Sequence, residues 1–184
     1  MSARDPSTLQ ADLIVHDEVA TDPVAPRAEL RASLLRSIGR ESALEGFGER
    51  IATFFDLPAA RGLELARLAA RANETPWLDG QASRLLPFAG VRLLHLEGGP
   101  RVAEADCGLV SVAPGVRFAE HSHAGDEWSL VLSGTAEEEG SGAVWRAGDV
   151  VHRAAGSAHA FAVTSREPFV FAVVLDDSIR FSGR

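Results

Sequence analysis

The chain contains no lysine and no tyrosine among its 184 residues, and all 18 of its basic residues are arginine. The lack of lysine excludes Schiff-base chemistry on a side-chain amine, and the lack of tyrosine excludes a phenolic acid or base. With 26 acidic residues, the formal net charge is −8. Because phosphate contacts need a positive surface, we expect no general nucleic-acid binding.

Cysteine is almost as scarce, since Cys107 is the only one. A single cysteine excludes an intrachain disulfide and a cysteine-rich zinc site. Its strand-like surroundings predict a small buried side chain rather than a reactive thiol. The chain also lacks an apolar run of the ~20 residues that span a membrane and the apolar segment of a signal peptide. We therefore expect a cytoplasmic protein without a membrane partner.

The sequence divides into three segments. Residues 1–24 show no periodicity and are predicted to form a flexible arm. Residues 25–80 carry apolar side chains at helical spacing, and Asp56 is predicted to be the N-cap of a helix from Leu57 to about Ala72. Residues 81–184 contain eight strand-like runs separated by turn signals, from VRLLHL at residue 91 to FVFAVVL at residue 169. This pattern predicts a mainly β domain, a sandwich or a barrel, after a short helical region.

A histidine pair and a glutamate stand close together in the β region, in the stretch GVRFAEHSHAGDEWSLVLSG. His121 and His123 are two residues apart, so on one strand their side chains point the same way. The turn that follows brings Glu127 onto the next strand, and His159 begins a later strand. Imidazole nitrogens and carboxylate oxygens bind first-row divalent metals well, so these four residues are the predicted metal ligands.

The other histidines receive weaker assignments. His16 lies in the arm and has no predicted role, and His95 is predicted to be structural. His152 is expected to pack on the surface or in the core, with orientation of a metal ligand as the alternative. Core packing is also the default for Trp128 and Trp145, with the wall of a ligand pocket as the alternative for Trp128, which is on the strand that carries Glu127.

Acidic residues near the motif are interpreted as turn residues. The triplet Glu137–Glu139 is predicted to be a solvated hairpin turn. Asp149 is expected to cap a turn through its carboxylate, and Asp126 to be a solvated turn residue, with a role as acid or base beside the metal as the alternative. No separate nucleophilic or acid–base apparatus is evident.

The spacing of these residues resembles the cupin superfamily. Gly115, His121, His123, Glu127 and Gly134 stand at the spacing of the first cupin motif. The resemblance extends over about residues 85–178. It implies a cupin β-barrel (double-stranded β-helix or jelly roll) over residues 81–184, with the two histidines and the glutamate as metal ligands.

The second cupin motif is also recognisable, from Gly148 through Gly156 to His159. It departs from the family pattern twice, with Ala154 where proline is usual and Val163 where asparagine is common. Neither departure removes a ligand, so the resemblance implies His159 as the fourth one.

Within the cupins, the layout PGVRFAEHSHAGDEWSLVLSG, followed by AGD and AGSAH, is similar to ChrR-type cupin-like domains. In that anti-sigma factor family, an N-terminal zinc-binding helical domain holds a sigma factor, and the cupin-like domain is needed for the response to oxidative stress. The family's N-terminal ligands include cysteines, but this chain has none before Cys107, and Ala20 stands four residues after His16. Sigma-factor binding is therefore not carried over.

Two functions follow as hypotheses. The first is a metal-binding regulatory or sensory module of ChrR type. The second is a small metal-dependent enzyme, a non-haem iron dioxygenase-type cupin acting on a small molecule in the barrel. Both use one divalent ion, for which zinc is favoured by the resemblance and Fe, Mn, Ni or Cu suit the same donors. Cupin family habits further imply a homodimer, and a protein partner is conceivable for the regulatory module.

Overall fold

Two helices precede ten short strands in the part of the chain that the computed structural model describes, which is residues 45–72 and 89–181 together with residue 39. Helix α1 covers residues 45–55, and α2 is Ala59–Ala70. The strands are β1 (Val91–Leu96), β2 (Asp106–Val112), β3 (Arg117–His123), β4 (Glu127–Ser133), β5 (Thr135–Glu138), β6 (Val144–Arg146), β7 (Val150–Arg153), β8 (Ala158–Val163), β9 (Phe169–Leu175) and β10 (Ile179–Phe181). One turn of 3-10 helix, Pro100–Val102, connects β1 to β2.

The strands form two five-stranded antiparallel sheets. One sheet has the order β1-β2-β9-β4-β7, and the other has the order β10-β3-β8-β5-β6. Successive strands along the chain repeatedly change sheets, which produces the crossovers of a jelly roll. The prediction of a mainly β domain after a helical region is confirmed.

Alternation of side chains along β9 explains why the strand is apolar throughout. Phe169, Phe171 and Val173 face the space between the two sheets. Val170, Ala172 and Val174 face the opposite way, toward the helices. Because both faces of this central strand are buried, it reads as a continuous apolar run instead of an alternating one.

The helices cover the outer face of the first sheet. Ile51 and Phe55 of α1 and Leu65 of α2 are fully buried in the cluster that also contains Cys107. The thiol side chain is 2% exposed, so the prediction that Cys107 is a buried apolar residue is confirmed. Burial raises its pKa, with a smaller contribution from the Asp106 carboxylate.

The predicted helix cap is wrong. The residue before α2 is Pro58, and Asp56 has a positive φ of 56°. The Asp56 carboxylate instead accepts hydrogen bonds from the backbone and the side chain of Arg101, at 3.0 and 2.8 Å. This contact from the β1–β2 connection is remote in sequence, and it outcompetes the local capping role that the residue type favours.

Two strands are missing from the sequence-based assignment, β5 and β10. The eight runs that were recognised all lie on strands of the structure. The arm, residues 1–24, lies outside the described residues, and the proposed segment boundaries stay predictions. Neither of the helices in the described ranges is long and apolar enough to cross a membrane.

Candidate metal centre

Three histidines meet on the inner face of the second sheet. His121 and His123 lie on β3, and His159 lies on the neighbouring strand β8, directly opposite His121. The three rings are close, with centroid distances of 4.5 Å for His121–His159, 4.9 Å for His121–His123 and 5.2 Å for His123–His159. One ligand atom from each residue lies within 4.8 Å of the other two, and all three side chains are buried.

Hydrogen bonds define the orientation of the His121 ring. Its Nδ1 lies 2.9 Å from the carbonyl oxygen of Ala119, so Nδ1–H donates to that oxygen. In a neutral imidazole, Nε2 is then unprotonated and is available as a donor atom for a metal. The edge of the Phe118 ring packs against His121 at a centroid distance of 5.0 Å and further limits its rotation.

Three ring nitrogens of the cluster have no hydrogen-bond partner. Nε2 of His121 lies 3.1 Å from Nε2 of His159. Both nitrogens of His123 and Nδ1 of His159 are buried without a hydrogen-bond partner. Buried polar atoms are normally paired, so these orphaned nitrogens indicate a missing partner. A divalent cation satisfies several unprotonated nitrogens at once, and the donor set therefore fits a metal ion.

Burial keeps the imidazoles neutral. The pKa of His123 is lowered to about 4 and that of His159 to about 3, mainly by desolvation. Repulsion from Arg153 and from a protonated neighbouring imidazole contributes in the same direction. Desolvation also lowers the pKa of His121. Metal binding requires an unprotonated imidazole nitrogen, so the cluster is in its ligating form at neutral pH.

Glu127 lies beside the histidines without joining their set. Its Oε2 is 3.4 Å from Nδ1 of His123, and its Oε1 accepts a hydrogen bond of 2.9 Å from the Ser129 hydroxyl. Burial raises the pKa of this carboxyl, while the Ser129 hydrogen bond and the charge of Arg153 act in the opposite direction. Within the described ranges, the group of mutually close ligand atoms contains the three histidines alone, and the role of Glu127 as a fourth ligand stays a prediction.

The cluster borders a cavity of about 320 Å³ between the two sheets. His121, Glu127 and His159 line it together with Ser129. Most of the remaining wall is apolar and includes five phenylalanines and Trp145. The volume lies at the lower end of the range of small-molecule sites, so a ligand of modest size fits next to the three imidazoles.

Comparison with known protein families identifies this region. Residues 108–175, from β2 to β9, match the family described as the cupin domain. This match and the arrangement of the strands in two antiparallel sheets support a cupin-like fold for this part of the chain. The predicted cupin barrel, with its jelly-roll arrangement of two antiparallel sheets, is thereby confirmed. No curated protein matches the chain.

Several solved structures are similar to about half of this chain. A Ralstonia eutropha JMP134 protein of unknown function with a cupin-like fold is 21% identical over 52% of this chain and 60% of its own, with a TM-score of 0.44. Bacillus subtilis oxalate decarboxylase, which has Mn(II) centres, is 23% identical over 52% of this chain and 29% of its own, with a TM-score of 0.43. An acetylacetone dioxygenase from Acinetobacter johnsonii is 19% identical over 51% of this chain and 64% of its own, with a TM-score of 0.43. The chain thus spans less than two thirds of each.

The region that matches the cupin family also contains a largely buried ion pair that sequence reasoning missed. Glu138 on β5 is 8% exposed, so the interpretation of the acidic triplet as a solvated turn is wrong for this residue. Its Oε1 lies 2.5 Å from Nη2 of Arg153 on β7 and 3.5 Å from Nδ1 of His159. The Arg153 guanidinium lies above the Trp145 ring, 5.1 Å from its centroid. The pair therefore contacts the His159 side of the cluster.

A strand signal for Glu138 was present in the sequence. Alternation in TAEE puts Ala136 and Glu138 on the same face, and Ala136 is fully buried. Three consecutive glutamates hide this alternation, because charge runs are usually solvated.

Several other sequence-predicted residues contact groups outside the cluster. His152 is on the outer face of the cupin domain, where it stacks on Trp128 at 4.1 Å and contacts the Asp126 carboxylate at 3.1 Å. Trp128 is 43% exposed, so the prediction that it packs in the core is wrong. Asp149 accepts a hydrogen bond from the backbone of Arg146, as expected for a turn cap. His16 lies outside the described residues.

Proposed function

We propose that the cupin domain binds one divalent metal ion through His121, His123 and His159, and that the ion faces a cavity for a small molecule. The observation that supports this proposal is the set of buried, unpartnered imidazole nitrogens at the wall of the 320 Å³ cavity. We retain Glu127 as the fourth ligand in the proposal, because its carboxylate is the nearest anionic group to His123. A bound metal supplies a Lewis acid that can hold an anionic or chelating molecule.

The chain's own residues hold and orient the site. The Ala119 carbonyl fixes the tautomer of His121. Glu138 faces Nδ1 of His159, so a metal on the other nitrogen would leave an N–H directed at a carboxylate, the arrangement that raises ligand basicity. The aromatic walls make the surroundings of the imidazoles largely apolar, which strengthens electrostatic interactions there. Imidazole and carboxylate donors suit Zn, Fe, Mn, Ni and Cu alike, and the ChrR-type resemblance favours zinc.

The use that we propose for this centre is regulatory. The layout of the motif resembles ChrR-type cupin-like domains, which respond to oxidative stress. In this proposal, the metal-loaded domain binds a small oxidant or ligand and changes its contacts with a protein partner or with the second chain of a homodimer. A sigma factor is not proposed as the partner, because the cysteines of the family's N-terminal zinc site are missing.

A second function, a metal-dependent oxygenase, is favoured by the cavity itself. An enzyme of this class needs room for a substrate next to the metal, and the apolar wall around His121 and His159 provides it. The two functions differ in turnover: iron-loaded enzyme should consume O2 in the presence of a suitable compound, whereas a sensor should not.

Metal analysis of tag-free protein tests the shared part of the proposal. We expect about one metal per chain in the wild type and most of it lost in His121→Ala and His159→Gln. His152→Ala is the matched control, because this histidine also lies in the cupin domain but contacts Trp128 and Asp126 instead of the cluster. Circular dichroism must show folded variants. A stoichiometric metal content in both cluster variants would rule out the assignment.

A further inference from the structure

A second polar pair lies at the wall of the same cavity, on the other sheet. His95 on β1 and Asp106 at the start of β2 both line the cavity. Nδ1 of His95 lies 3.0 Å from Oδ1 of Asp106. Both side chains are about half exposed, at 47% and 59%, so solvent and a ligand can reach them. His95 was predicted to be structural, but it faces the cavity and is not buried in the core.

The register of the first sheet defines where this pair stands relative to the histidine cluster. Asp106 is directly opposite Leu175, and Leu175 is directly opposite Glu127. Asp106 and Glu127 therefore occupy one row across the sheet, two strands apart, which corresponds to about 10 Å between their backbones. All three residues line the cavity. The His95–Asp106 pair and the candidate metal site thus border one cavity from separate positions on its wall.

The hydrogen bond within the pair determines what the imidazole offers to a ligand. The Asp106 carboxylate can only accept when ionised, so Nδ1–H of His95 donates to it. In the neutral imidazole, Nε2 is then an acceptor. It has no hydrogen-bond partner among the residues that the structure describes. The chemical group that matches this nitrogen is a donor, such as a hydroxyl or an amine.

We propose that His95 and Asp106 form a second subsite, which accepts a hydrogen bond from a ligand whose other end binds the metal. This inference rests on the proposed function, since it assumes a metal at the three imidazoles. The ligand is then a small molecule with a mostly apolar body, an oxygen donor at one end and a hydroxyl or amine at the other. A single ring with two such groups suits both the volume of the cavity, about 320 Å³, and its aromatic wall.

Benzoate, 3-hydroxybenzoate and 4-hydroxybenzoate are suitable probes, because they share the metal-binding carboxylate and differ only in the hydroxyl. Their affinities for metal-loaded protein are measured by titration calorimetry. We expect at least one hydroxybenzoate to bind the wild type roughly 3- to 10-fold more tightly than benzoate, as for one net hydrogen bond. In His95→Leu, which removes the acceptor but keeps a side chain of similar bulk, this preference should vanish.

His152→Leu is the matched control. His152 also pairs with an aspartate and is similarly exposed, but it lies on the outer face. The hydroxyl preference should therefore be unchanged in this variant. The inference is overturned if no hydroxybenzoate is preferred, if none of the probes binds, or if His95→Leu retains the preference. Metal content on the same samples separates these outcomes from a failure of the proposed function, in which the wild type holds no metal and both proposals fall.

Discussion

At the residue scale, the Glu138 carboxylate interacts with two side chains. It forms an ion pair with Arg153 and faces the candidate metal ligand His159. The carboxylate is 10% exposed and the guanidinium 21%, so each compensates the other's charge in a largely dry setting. Removal of one partner from such a pair leaves an uncompensated buried charge, which is strongly destabilising. The ion pair therefore contributes to the stability of the domain and to the environment of His159.

The substitution Glu138→Gln tests this role. We expect it to lower the free energy of unfolding by about 3 kcal/mol and to weaken metal affinity by about 10-fold, measured by urea denaturation and by competition with a chelator. Glu137→Gln is the matched control, because its side chain is on the same strand but exposed. Equal effects of the two substitutions would contradict the role assigned to Glu138.

Sequence reasoning reached the histidine cluster because strand alternation alone puts His121 and His123 on one face. It did not identify Glu138, because the run of three glutamates hides the strand alternation and the partner Arg153 is 15 residues away. Similarly, Trp128 was expected in the core as a tryptophan on a strand, but it is exposed and stacks on His152. Contacts between side chains remote in sequence decide both cases.

At the scale of elements, helices α1 and α2 approach each other closely at two glycines. A Cβ on Gly62 of α2 would lie 2.2 Å from the carbonyl oxygen of Gly48 and 2.7 Å from Cβ of Ala52, both in α1. A Cβ on Gly48 would lie 2.9 Å from Cα of Leu63. Neither glycine has a positive φ, so the close contact between the helices, not the backbone conformation, requires them.

Gly62→Ala should therefore force the helices apart and lower the free energy of unfolding by about 1–3 kcal/mol, as overpacking does. Gly46→Ala in α1 is the control, because its Cβ would have no neighbour within 4 Å. This second substitution should be neutral or should stabilise by up to about 1 kcal/mol, since alanine favours a helix over glycine. Urea denaturation of both variants measures the difference, and a Gly62→Ala variant as stable as wild type would contradict the packing described here.

The element assignment from sequence succeeded where apolar alternation was strong and failed where it was weak. All eight recognised runs are strands, whereas β5 is masked by its glutamates and β10 has three residues. The α2 start was wrong because Asp56 binds Arg101, a contact that no local signal contains. Propensity therefore identified the elements, but tertiary contacts determined their ends.

For the whole molecule, three buried neutral imidazoles make stability depend on pH when no metal is bound. A histidine in the unfolded chain has a pKa of about 6.5, whereas burial lowers the pKa of His123 to about 4 and that of His159 to about 3. Between these values, the unfolded state binds protons that the folded state does not. The contribution of these neutral imidazoles to the free energy of unfolding is thus fully present above about pH 6.5, and it is lost as the pH falls toward 4.

Thermal unfolding in the presence of a chelator, from pH 7.5 to pH 4.5, measures this dependence. We expect His123 and His159 each to account for a loss of roughly 1 kcal/mol for each pH unit below 6.5. His159→Leu should flatten the dependence, whereas His152→Leu should not, because that side chain is exposed. A metal-free wild type with constant stability over this range would contradict the burial of neutral imidazoles.

The central claim is that one divalent ion is held by His121, His123 and His159 at the wall of the barrel cavity. An anomalous difference map from crystals of metal-loaded protein, recorded at the absorption edges of the candidate metals, tests it most directly. The account predicts one peak about 2.0–2.2 Å from a nitrogen of each of the three rings. A map without a peak there, or with the metal bound only at other residues, would contradict it.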